Sequence, residues 1–155
     1  MAWSTPPAIK IYEALGAIAD GRVEVDGNTA KVYSSSGNKR YEVIYEPQLK
    51  AITSNDNGSF WQGYLGYPMV AFLMLKKLIS FDSKMAGWLK GIHWKDINTQ
   101  FKYDFAKTEE FVRQEMQDRG ADLTSFDVFK DRVIAEIKLL GLNKLITNAR
   151  PPEGY

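Results

Sequence analysis

Arg22–Glu46 reads RVEVDGNTAKVYSSSGNKRYEVIYE, and its alternation decides the fold. Val23 and Val25 alternate with Arg22 and Glu24, and after Asp26-Gly27-Asn28 the apolar residues return at Ala30 and Val32 around Lys31. A period of two marks a half-buried strand. Asp-Gly and Gly-Asn accept the positive φ that a tight hairpin turn demands. Ser34–Asn38 is a second turn, and Lys39–Glu46 a third strand with Tyr41, Val43 and Tyr45 on one face. Pro47 ends that strand because proline has no N–H for the ladder. Leu49–Ser54 predicts a short fourth strand, so the segment is expected to form a three- to four-stranded antiparallel meander.

Toward the N-terminus, Ser4–Gly21 predicts a helix packed on one face of that meander. Ser4 or Thr5 is the expected cap, and Pro6 or Pro7 suits the first turn, where a missing N–H is harmless. Ile9, Tyr12, Leu15 and Ile18 form its apolar stripe, and Asp20-Gly21 ends it. Toward the C-terminus, Pro68–Ser80 predicts a helix apolar nearly all round, hence a buried one. A short helix capped by Asp82 or Ser83 follows, and Ile92–Asp104 reads as strand or loop. Thr108 is the expected cap of 109–119, and Thr124 or Ser125 of 126–140, where Phe126, Phe129, Val133, Ile137 and Leu140 make a stripe closed by Gly141. The class is α+β: a helix, meander and buried helix over 1–80, then a helical part over 81–150. No Gly/Ser/Pro-rich linker separates them, so a single domain over 1–155 is expected.

Composition excludes several chemistries. The chain has 155 residues, no cysteine and one histidine, His93. Disulfides, thiol catalysis, Cys-ligated zinc and multi-histidine metal centres are therefore ruled out. A formal charge of +1 argues against binding nucleic acid through bulk charge. The longest apolar run, Met69–Leu75, is far below the roughly 20 residues of a membrane span. The first residues lack a basic-then-apolar leader pattern. A cytoplasmic protein without metal or cofactor is expected, with no membrane partner.

Two segments are candidate sites. Ser54–Pro68, SNDNGSFWQGYLGYP, joins polar turn formers to Phe60, Trp61, Tyr64 and Tyr67. Rigid aromatics beside Asn, Ser and Gly suit a recognition loop, because they bury area at small entropic cost. Asn55, Asp56, Asn57, Trp61, Gln62, Tyr64 and Tyr67 are the candidate partner-binding residues. The plain alternative is a turn whose aromatics plug the core. No Gly-Lys-Ser/Thr follows its three glycines, so it is not a phosphate loop. Its Gly63–Gly66 element, GYLG, has the Gly-x-x-Gly frame of a KH loop without basic central residues.

The second segment, 76–102, holds six lysines against two aspartates, with aromatics interleaved. Lys76, Lys77, Lys84, Trp88, Lys90, His93, Trp94 and Lys95 are the candidate nucleic-acid-binding residues, since base stacking beside phosphate-neutralising lysines is the physics of single-strand binding. The next stretch, 104–127, has seven carboxylates against three cations, so mutual neutralisation is the alternative. His93 between Ile92 and Trp94 has no nucleophile spacing to support catalysis. Glu109-Glu110 suits a helix N-terminus.

Ala30–Glu46, then Ile52–Gly63, then Gly66–Leu75 together resemble a SWIM zinc finger from about residue 30 to 75. That family has a Ser/Gly turn between two strands, a Cys-x-Cys-Pro-Asp segment, and a Gly-x-Pro-Cys-x-His segment opening a helix. It binds zinc and is associated with DNA or protein binding. Carried over, the Cys-x-Cys positions fall on Ile52 and Ser54, Pro-Asp on Asn55 and Asp56, and Cys-x-His on Met69 and Ala71. None of these side chains holds zinc, so the resemblance implies a metal-less relative, with a plug of Ile52, Met69, Phe72 and Leu73 in place of the ion. The leading expectation is a non-enzymatic module that meets a protein or nucleic-acid partner through 55–67. A small-ligand binder or enzyme with an aromatic pocket, and a self-associating subunit such as a homodimer, are the alternatives.

Overall fold

A computed structural model describes residues 1–153. Its elements are α1 (Ile9–Ala19), β1 (Val23–Asp26), β2 (Thr29–Tyr33), β3 (Arg40–Glu46), β4 (Ala51–Ser54), α2 (Asn57–Gln62), α3 (Tyr67–Leu75), α4 (Ser83–Gly87), α5 (Trp94–Gln100), α6 (Phe105–Asp118), α7 (Leu123–Leu140) and β5 (Asn143–Lys144). The class is α+β: an N-terminal helix, an antiparallel meander and a mostly helical C-terminal half.

The meander forms as its alternation requires. Asp26 pairs with Thr29 and Val23 with Val32 across the first turn; Val32 pairs with Tyr41 and Ala30 with Val43 across the second. Ala30, Val32, Tyr41, Val43 and Ile52 are buried on one face. Pro47–Leu49 makes a single 3-10 turn, and β4 then pairs with β3, Val43 opposite Ser54. Strand β5 lies parallel to β4, Ala51 opposite Asn143. Two residues carry no readable alternation, which is why this strand is absent from the sequence expectation.

The helix seated on the sheet is α3 rather than α1. It packs against β1, β3 and β4, and α1 covers its other side, packing also on α4 and α6. Pro68 to Met74 are all buried, as an all-round apolar helix must be. The helix stops at Leu75 instead of Ser80 because Lys77 adopts φ 61°, outside helical space. One cluster of buried apolar side chains runs from Ile9 to Leu142.

Other boundaries move for identifiable reasons. Ala8, without a side-chain bond, precedes α1; Ser4 instead pairs with the α2–α3 connection, its carbonyl accepting from Leu65 N–H. Ile92–Asp104 is neither strand nor simple loop, since it contains α5. Asp104 caps α6, accepting from Lys107 N–H, so Thr108 lies inside the helix and is buried. Asp122 caps α7 through the N–H groups of Thr124 and Ser125. In each case an aspartate just upstream of the expected Thr or Ser is the stronger acceptor for free helical N–H groups.

Gly16 sets the closeness of α1 to α5. A Cβ at this position falls 2.9 Å from Trp94 Nε1 and 3.1 Å from the Leu89 carbonyl oxygen. A larger residue here must push α1 off that wall. Gly16→Val is expected to lose about 1–3 kcal/mol, the usual range for overpacking. Equilibrium urea unfolding followed by tryptophan fluorescence measures it; unchanged stability would show that α1 does not need this contact.

Candidate functional site

A cavity of about 450 Å³ opens between α1, the β2–β3 turn, α2 and α5. Lys10 and Glu13 on α1 line it, as do Ser34–Ser36, Asn38 and Lys39 of the turn and Tyr41 of β3. Asp56, Asn57, Gly58, Trp61, Gln62, Tyr64 and Tyr67 come from α2 and its flanks, Trp94, Lys95 and Asn98 from α5, and Arg22, Tyr103 and Phe105 complete the wall.

The α2 side is built by one aspartate. Asp56 is buried, with one carboxylate oxygen accepting Ser59 N–H at 3.1 Å and the other accepting Ser59 Oγ–H at 2.7 Å. Ser59 Oγ in turn accepts Gly66 N–H at 3.0 Å, fixing the start of α3. This turns a run that resembles a plain turn into a six-residue helix. Tyr64 folds back over Gly58, where a Cβ would lie 2.5 Å from the phenol oxygen. Only a residue without a side chain leaves room for that ring.

The floor is a buried polar network. Lys10 Nζ lies 2.8 Å from Glu13 Oε2, their side chains 11% and 4% exposed. Glu13 Oε1 accepts from Asn98 Nδ2 at 3.0 Å, and Asn98 Oδ1 accepts from Thr108 Oγ1–H at 3.1 Å. The chain of bonds thus ties α1 to α5 and α6. Burial opposes the Lys10 charge, but Glu13, Tyr64 and Asp56 outweigh it and hold the ammonium above its ordinary pKa. The ammonium also sits 4.7 Å from the Phe105 ring centroid, a cation–π distance. Burial pushes the phenols of Tyr64 and Tyr67 above their usual range, so both stay protonated and can donate hydrogen bonds; Lys10 and Arg22 respectively oppose the shift. At the rim, Tyr103 holds φ 59° next to Lys102 at φ 53°. Such backbone costs about 1–3 kcal/mol for a non-glycine residue, a strain that concentrates at functional sites.

The residues expected to meet a partner divide by position. Asp56, Asn57, Trp61, Gln62, Tyr64 and Tyr67 line the cavity. Asn55 is instead a strut: Oδ1 accepts Glu42 N–H and Nδ2 donates to the Arg150 carbonyl. Phe60 and Trp61 contact edge to face, 4.7 Å apart, and Trp61 is 66% exposed. Arg150 lies over Phe60, and Lys39 Nζ donates to the Pro152 carbonyl at 3.4 Å, so the chain beyond β5 borders this side of the cavity.

The lysine-rich segment does not gather into one aromatic face. Trp94 is 4% exposed and packs toward α1, because α5 turns it inward, and Lys95 lines the cavity. Trp88 is half-buried, with Lys84 Nζ 5.9 Å from its ring centroid. The carbonyls of Trp88 and Lys90 accept from Arg119. Lys77 and His93 are exposed and Lys76 ends α3. In the acidic stretch, Asp127 binds Arg113 at 2.7 Å and Lys130 at 3.2 Å.

Ile52, Met69, Phe72 and Leu73, the plug implied by the SWIM resemblance, are fully buried together with Ala71. Among the described residues no group of three or more His, Cys, Asp or Glu is placed to hold a metal, and no helix is long and apolar enough to cross a membrane. Lys10, Glu13, Arg22, the Ser34–Lys39 turn and Asn98 were not expected at a site. One signal was available: Glu13 stands one helical turn after Ile9, on the apolar arc of α1, where an acid is out of place.

The family model described as uncharacterised conserved protein UCP014422 matches residues 3–143, and the chain belongs to this family. No curated protein and no solved structure matches the chain. The matched span contains every residue that lines the cavity.

Removing one member of a buried ion pair strands the other, whereas removing both is often neutral. Glu13→Gln is therefore expected to cost about 3 kcal/mol or more, and Lys10→Met/Glu13→Gln to lie within about 1 kcal/mol of the native protein. Guanidinium unfolding of the three proteins decides this. A double variant as weak as the single one would mean that the pair serves the fold alone.

Proposed function

We propose that this protein binds a small organic molecule in the cavity between α1, the β2–β3 turn, α2 and α5. The observation that carries the reading is the buried Lys10–Glu13 pair, held at the floor of a half-open cavity. A buried ion pair is a poor way to stabilise a fold, since its desolvation offsets most of its attraction. At the floor of a pocket the same pair offers orienting charge to a ligand. The volume suits a ligand of moderate size, within the roughly 300–1,000 Å³ common for such sites. Tyr64, Tyr67, Trp94, Tyr103 and Phe105 supply flat apolar wall, and the protonated phenols supply donors. A cytoplasmic setting belongs to the same proposal.

A second reading is favoured by the outward half of α2. Exposed Phe60 and Trp61 form a contact surface for a macromolecular partner, including a second copy of this chain. No reaction is assigned to either reading.

Thermal unfolding with a chemically diverse set of small compounds separates the two. A ligand present at about a hundred times its Kd adds about 2.7 kcal/mol, or roughly 5 °C or more in Tm for a chain of this size. We expect such a shift for at least one compound class, and its loss in Lys10→Met/Glu13→Gln. If no class shifts Tm, while Trp61→Ala turns a solution dimer into a monomer or releases nucleic acid retained at low salt, the pocket reading is wrong and a surface function replaces it.

A further inference from the structure

A donor in the cavity wall has no hydrogen-bond acceptor, and it names a ligand class; the inference rests on the pocket reading above. Lys10, Arg22, Lys39 and Lys95 line the cavity against Glu13 and Asp56. Both carboxylates are already engaged inside the protein, Glu13 by Lys10 and Asn98, Asp56 by Ser59. Arg22, bridged to Asp20 at 3.2 Å, lies with Lys39 and Lys95 at the end of the cavity formed by the β2–β3 turn and α5.

Arg22 shows what that end lacks. Its Nε donates to Asp20 at 3.2 Å and its Nη1 to the Tyr33 carbonyl at 2.7 Å, which anchors the guanidinium beside the turn. Nη2 is enclosed and has no hydrogen-bond partner. Buried guanidinium donors are nearly always answered by an acceptor, and the fork geometry of arginine suits carboxylate and phosphate oxygens. The turn adds hydroxyls: Ser34 and Ser36 bond to each other, and Ser35 Oγ accepts Lys95 N–H at 3.1 Å, which seats α5 against the turn and leaves the Ser35 hydroxyl proton to donate. Tyr67, whose phenol is electrostatically coupled to Arg22, stays protonated and adds a further donor.

We propose that this end of the cavity receives the anionic group of the ligand, a carboxylate or a phosphate monoester, at Arg22 and the Ser34–Lys39 turn. The flat remainder of the ligand then lies among Tyr64, Phe105 and Trp61, with the Lys10–Glu13 pair beneath it. The ligand class is a small aromatic acid or aromatic phosphate.

Three probes of one shape test the assignment: phenyl phosphate, phenylacetate and neutral 2-phenylethanol, titrated at constant ionic strength and followed by tryptophan fluorescence and calorimetry. The anions are expected to bind about tenfold or more tightly than the alcohol, on the order of a charge-assisted hydrogen bond. Arg22→Gln removes that advantage and leaves the alcohol unchanged. Because Arg22 also anchors the turn, Lys95→Gln serves as the second variant, expected to weaken both anions about threefold or more through the lost positive charge. The ratio between phenyl phosphate and phenylacetate tells which anion the site is built for. Equal affinity for all three probes, or anion affinity untouched in both variants, overturns the anion assignment while the pocket stands. If none of the three binds, the assignment falls, and the thermal shift with the diverse compound set decides whether the pocket stands.

Discussion

A lysine and a glutamate three residues apart on a buried helix constrain much of the molecule. Charges removed from water must be matched at close range, and Glu13 has two oxygens to satisfy. Lys10 answers one and Asn98 the other. Asn98 then needs its own acceptor side filled, and Thr108 fills it. Through these bonds α1 draws α5 and the first turn of α6 to one place. The ammonium in turn gathers Phe105 and Tyr64 around it. The cavity is the space left where these groups converge but do not close.

The aromatic segment after β4 is divided by a single capping residue. Asp56 winds Asn57–Gln62 into a helix that carries Phe60 and Trp61, and Gly63 at φ 75° ends it and redirects the chain before Tyr64 and Tyr67. Trp61 reaches solvent at the rim, whereas Tyr64 and Tyr67 turn into the cavity. The same composition thus supplies both a rim and a wall. This division gives the cavity more support than a flat recognition surface receives, because the inward rings meet polar groups that a surface contact never touches. The buried Ile52, Met69, Phe72 and Leu73 lie on the core side of this segment, so they bear on its stability and not on the chemistry of the cavity.

Much of the fold was legible because local chemistry and tertiary burial agree. Asp26-Gly27 and Ser34–Asn38 demand turns, the valines between them demand a one-sided sheet, and Met69–Met74 demand a buried helix. Legibility failed where a tertiary contact does the work. Helix α5 has only Trp94 and Ile97 as apolar residues among its seven; Trp94 and Asn98 face inward where α1 offers Gly16 and Glu13 to them. Strand β5 is two residues, Asn143 N–H donating to the Lys50 carbonyl and Lys144 N–H to the Met1 carbonyl. The site was half legible for the same reason. Trp61, Tyr64 and Tyr67 are close in sequence and stand out by composition, whereas Tyr103 and Phe105 on the same wall do not. The site's charged floor and turn come from residues 10–39 and 94–98, brought together only by folding.

The central claim is that the cavity, and not the lysine-bearing surface, is where this protein meets its ligand. Backbone and indole amide shifts in a ¹⁵N-labelled sample titrated with phenyl phosphate test it most directly. The account predicts saturable shifts at Ser34–Lys39, Asp56–Tyr67 and Trp94–Asn98, including the Trp61 indole, with Lys76–Lys90 unmoved. Shifts centred on Lys76–Lys90, or none that saturate, would contradict it.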